Sequence, residues 1–137
     1  MTRSRGDKID SILLSADRAL RGQVPAPLRA LSFSFDNVMC LITCKAEVDK
    51  EIIVEDNDWE DLNFVTTMID TDELLGQKTR VIMDIVVVPA GQLLDPLPDG
   101  VVFLRAGERV PEGYDGAMPH PRSRARLIPH APPYEEE

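Results

Sequence analysis

The residues of this chain that can do chemistry are few and grouped. Around the single tryptophan, Trp59, stand Glu55, Asp56, Asp58, Glu60 and Asp61, in the run "EDNDWED". Carboxylates at this density can hold a cation, share a proton, or present negative charge to a basic partner. A calcium loop of the helix–loop–helix type needs glycine at its sixth position and glutamate at its twelfth. Counted from Asp56, those positions hold Asp61 and Thr67. Paired acids for sugar hydrolysis need a fixed separation across a cleft, and nothing in the run sets one. The reading left is a surface: an aromatic anchor for affinity, ringed by charges that speed docking. The plainer alternative is that Trp59 pins a helix to a sheet and the acids form a solvated face.

Other chemical candidates are sparse. His120 and His130 lie among prolines, where no fixed partner geometry is expected for acid–base work. Cys40 and Cys44 sit in "NVMCLITCK", read as a strand. Residues four apart on one strand are separated by roughly 13 Å, beyond the roughly 7 Å that a disulfide spans. They read as buried thiols behaving as small hydrophobes. No Cys/His pair has metal-ligand spacing, no G-x-S-x-G elbow occurs, and no glycine-rich loop precedes a helix. Catalytic, cofactor and metal sites are therefore expected to be absent.

Charge placement is more informative. The chain of 137 residues has a formal net charge of -9. Residues 47–73 hold eleven acids and one base, so that window carries the whole negative excess. Binding nucleic acid calls for a face of the opposite sign. A concentrated acidic segment attracts a basic protein. No run of 18 apolar residues exists to span a membrane, and the start "MTRSRGDKIDS" lacks the apolar core of a signal peptide. A cytoplasmic location is expected.

These residues need elements to position them. Ile9, Ile12, Leu13, Ala16 and Leu20 recur at spacings of three and four, predicting a helix over 7–22 that ends at Gly22. Leu31, Phe33 and Phe35 alternate with Ala30, Ser32 and Ser34, predicting a half-buried strand. Asp36-Asn37 suits a tight hairpin turn, with Val38–Lys45 as the return strand. The stretch 46–55 can prolong that strand or begin a helix. A second helix follows, capped by Asp56 or Asn57, with Trp59, Leu62, Val65 and Ile69 as its apolar stripe. "TRVIMDIVVVP" is apolar on both faces except at Asp84, read as a solvent-facing or paired carboxylate, and this predicts a central strand. "VVFLR", 101–105, predicts a last strand that closes a second hairpin.

The expected fold is α+β, in the order α-β-β-α-β-β. One mainly antiparallel sheet of about four strands carries two helices on one face. Residues 1–6 are expected to be a flexible start, 7–105 a single domain, and 106–137 a proline-rich disordered tail. The tail holds six of the eleven prolines and little aliphatic pattern.

The pieces "ILLSADRALRG", "LRALSFSFDN", the acidic helix and "LPDGVVFLR" resemble a group of small bacterial proteins. That group is associated with immunity proteins of contact-dependent inhibition and related polymorphic toxin systems. The resemblance covers about residues 9–105, with "ILLSADRAL" as its most specific piece. It implies a non-enzymatic protein that neutralises a toxin domain by covering a basic active site, such as that of a nuclease. No catalytic residue carries over. The alternative function is a structural or assembly subunit, a homodimer pairing the edge strand 101–105.

Overall fold

The computed structural model describes residues 5–20, 24–36, 38–54, 56–73 and 80–119. The order is α1 (Arg5–Leu20), β1 (Leu28–Asp36), β2 (Leu41–Val48), α2 (Asn57–Glu73), β3 (Arg80–Val87), β4 (Gly100–Leu104). The α+β class, the element order and the two helices on one sheet match the sequence reading. The sheet order is β3-β2-β1-β4.

α1 buries the stripe that its spacing dictates: Ile12 and Ala16 are fully buried, with Ile9 and Leu13 at the margin. Asp7 in the first turn and Arg18 in the last both oppose the helix dipole. The expected end at Gly22 lies outside the described residues. β1 and β2 form the expected hairpin. Its turn is longer than two residues. The Asp36 carboxylate accepts from the backbone N–H groups of Val38, at 3.0 Å, and Met39, at 3.1 Å. Cys40 then takes a left-handed φ of 51°. Cys40 therefore belongs to the turn and not to the strand, and only Cys44 points into the core.

Register puts Leu31, Phe33 and Phe35 of β1 beside Ala46, Cys44 and Ile42 of β2. These in turn lie beside Ile85, Met83 and Val81 of β3. This face packs against Ile12 and Ala16 of α1 and Leu62, Val65 and Ile69 of α2. Burying a side chain of this size contributes about 1.5–3 kcal/mol, so the shared face is the main source of stability.

The sheet is mainly antiparallel as expected, with one parallel pair, β2 and β3. A parallel pair needs a crossover, and α2 is that crossover; the ambiguous "EIIV" is neither strand nor helix but part of the lead-in. The expected second hairpin needs correction: β3 and β4 do not pair. They occupy opposite edges, so β3 is an edge strand although both its faces are apolar apart from Asp84. Ile82, on the face away from the helices, is 43% exposed.

Residues 88–99 join those edges by crossing the far face of the sheet as a strap. Lys45 Nζ donates to the Asp95 carbonyl at 2.6 Å, and Asp95 N–H donates to the Glu47 carboxylate at 2.6 Å. Leu97 N–H donates to Ser32 Oγ at 2.9 Å. Leu94 is buried there with Ala30, Val101 and Leu104. Gly100 starts β4 where any Cβ would stand 2.6 Å from the Phe33 ring, so only glycine fits.

The segment expected to be a tail falls in two parts. Residues 106–119 lie on the sheet: Val110 and Tyr114 pack on the Leu94 cluster, and Tyr114 Oη donates to the Leu97 carbonyl at 2.6 Å. Residues 120–137 are outside the described set.

Candidate functional site

The acidic run occupies the start of α2. Asp56 caps the helix: its carbonyl accepts from Glu60 N–H at 3.0 Å, and its carboxylate accepts from Asn57 N–H at 2.9 Å. Asp58, Glu60 and Asp61 follow within the next turn. Carboxylates belong at this end, where unpaired N–H groups carry partial positive charge. Asp56 and Glu60 are exposed; Asp58, Trp59 and Asp61 are half-buried. Among the described residues, no basic side chain pairs with any of these four acids. Loss of water, with Asp58 and Glu60 close by, raises the Asp61 carboxyl above its ordinary value. Glu55 lies outside the described residues.

Trp59 points to the β3 side of the helix. With Leu62, Asn63 and Thr66 it forms one wall of an open groove, and Val81, Met83 and Ile85 of β3 form the other. The groove has a volume of about 170 Å³. Phe64, on the outer face of α2, is 49% exposed. The structure thus places Asp56, Asp58, Trp59, Glu60 and Asp61 together at the start of α2, with Trp59 alone of the five in the wall of the groove. The wall from β3 was missed in the sequence, because it depends on β3 being an edge.

The acidic window is not one surface. Glu47 and Asp49 lie on the far side of the sheet and have structural partners. Glu47 is fully buried, with one carboxylate oxygen on Asp95 N–H and the other without a partner. Burial raises its carboxyl above the ordinary range, against the pull of Asp95 N–H, Lys45 and Arg29. Asp49 accepts from Arg105 at 2.8 Å. Arg29, 4% exposed, gives two N–H bonds of 2.7 Å to Glu108 and one of 3.0 Å to each of the Val88 and Pro89 carbonyls. This cluster was also missed. Its only sequence signal is a lone arginine inside an apolar strand, "LRALSFSF".

Among the described residues, no group of three His, Cys, Asp or Glu side chains could hold a metal ion. Among these residues too, no helix is long and apolar enough to cross a membrane. Cys44 is buried, and loss of water pushes its thiol up to about 12. Such a thiol is a poor nucleophile.

Two helices on a mixed four-stranded sheet, with an open groove between α2 and the edge strand β3, define a small α+β protein. A family model described as MafI2 immunity protein matches residues 9–107. The match spans well over half of the chain, and the chain belongs to that family. It agrees with the immunity class that the sequence resembles, and such a protein has a toxin as its partner. No curated protein matches the chain.

Proposed function

We propose that this protein is a cytoplasmic, non-enzymatic immunity protein that silences its toxin by covering a basic active site. The contact surface is Asp56, Asp58, Trp59, Glu60 and Asp61, together with Glu55, which precedes them in the sequence. The single observation that carries this reading is the set of four carboxylates at the start of α2 that have no basic partner among the described residues, flanking a half-buried tryptophan. Asp49 and Glu108, which tie the far side of the sheet, are paired with arginines; of the four acids on α2, only Asp56 has a bonded role in the fold, as the helix cap. Unpaired acids clustered on a surface raise the encounter rate with a basic cleft. Trp59 supplies apolar area that a partner can desolvate. A nuclease active site has the required sign of charge, and the toxin system can be contact-dependent or of another polymorphic kind.

The test is co-expression with the toxin encoded beside this gene. The parent chain protects cells. A chain with Asp58, Glu60 and Asp61 changed to lysine, folded as judged by circular dichroism, is expected to lose protection. Equal protection by both chains sinks the site assignment.

A further inference from the structure

The two edges of the sheet are finished differently. The outer side of β4 is covered: Val101 N–H donates to the Ala117 carbonyl at 2.8 Å, and Ala117 N–H donates to the Asp99 carbonyl at 3.1 Å. β3 pairs with β2 alone, and among the described residues nothing pairs with its outer side. Arg80 and Val88 N–H groups point inward, to the Cys40 and Val48 carbonyls. In a strand the peptide groups alternate sides, so those of Val81, Met83, Ile85 and Val87 point outward. An edge is commonly protected by charged side chains, proline or a bulge. β3 carries Arg80 at its start and the exposed Asp84 on the face away from the helices, but no proline, and its pairing with β2 runs from Arg80 to Val87 without a shift in register.

The residues with outward peptide groups overlap those that line the groove. Val81, Met83 and Ile85 face α2 with their side chains. A strand laid against β3 therefore sets alternate side chains under Trp59 while it completes the ladder. The charge nearby selects the occupant. α2 connects parallel strands and so runs against β3, which puts its acidic first turn at the Ile85–Val87 end. A second copy of this chain carries the same net charge of -9 and is repelled.

We infer that the open edge of β3 receives an extended basic segment of the toxin, which joins the sheet as a fifth strand with alternate apolar side chains in the groove beneath Trp59. This rests on the toxin-binding reading above and adds the mode of contact. Backbone pairing supplies affinity in such an arrangement, and the pockets for alternate side chains supply specificity.

The test is amide hydrogen exchange on the full chain, free and bound to the inactivated toxin domain encoded beside this gene. The amides of Val81, Met83, Ile85 and Val87 are expected to exchange fast in the free protein. In the complex they slow on the order of 100-fold. Val87→Pro removes one outward N–H at a side chain that is 48% exposed and outside the groove wall, and is expected to weaken the complex on the order of tenfold. A complex that forms while the four amides keep their free rates overturns the inference and leaves toxin binding standing. No complex at all removes both. Protection already present in the free chain shows that the edge is filled by this chain itself or by a second copy, and also overturns the inference.

Discussion

The guanidinium of Arg29, on β1, is clamped by the carboxylate of Glu108, 79 residues further along, through two N–H bonds of 2.7 Å. The same guanidinium holds the Val88 and Pro89 carbonyls where β3 hands over to the strap. Arg105 gives Glu108 a second cation at 3.2 Å and reaches Asp49 at 2.8 Å. One cluster thus ties β1, the strap and the segment after β4 to the far side of the sheet. The helix side and its groove take no part in this cluster.

Glu108→Ala leaves Arg29 buried without its carboxylate. The expected loss is about 3 kcal/mol of unfolding free energy at pH 7, measured by urea denaturation. The Arg29 hydrogen bonds hold the Glu108 carboxyl below its ordinary value of 4.5, against the opposing effect of burial. The stability linked to Glu108 is therefore complete above pH 4.5 and disappears as pH falls through the depressed folded value. The parent loses stability with acid in that range, and the alanine variant loses less. Identical acid slopes would contradict the assignment.

Glu47 has the opposite sign. Its carboxyl is raised by burial, so the folded state favours the protonated form. The linked stability is present at low pH and falls as pH rises through the raised value. Glu47→Gln keeps an acceptor for Asp95 N–H and removes the charge. At pH 7 it is expected to match the parent or exceed it by about 1 kcal/mol. The difference grows between acid and neutral pH in paired urea melts. A glutamine variant that is less stable at neutral pH than at acid pH, relative to the parent, contradicts this account.

The two thiols differ in reach. Cys44 is buried with its thiol near 12, while Cys40 sits half-buried in the β1–β2 turn. Native alkylation followed by mass spectrometry is expected to modify Cys40 alone. Cys44, 1% exposed on the core face of β2, is expected to react only at the rate of global unfolding. Equal labelling of both in the native protein would show that the hairpin opens on its own.

Much of the fold could be read from residue spacing. Ile12, Ala16 and Leu20 mark the buried stripe of α1, and Phe33 and Phe35 mark the core face of β1, because one-faced burial imposes a period. The neighbour of β3 could not be read that way. Ile82 and Val86 make its second face apolar, which is what a central strand shows, yet in this fold the pattern belongs to an open edge. The strap was illegible for another reason. It is held by side chains bonded to backbone, from Ser32, Lys45 and Glu47, and such bonds leave no period. In sequence Glu47 cannot be told from Asp49 or Glu51, so summed charge placed it on a surface where it does not lie. The acidic start of α2 around Trp59 was legible because both capping and charge point to a helix N-terminus. The β3 wall beside it was not, since it follows from topology.

The most direct measurement of the central claim is the association rate of the toxin domain with the parent and with an Asp58→Asn, Glu60→Gln, Asp61→Asn chain, by surface plasmon resonance at low and high salt. Asp56 is kept because it caps α2. The account predicts that neutralisation lowers the association rate constant by about tenfold at low salt and flattens its salt dependence. Equal rate constants with equal salt dependence would show that these carboxylates do not guide the toxin.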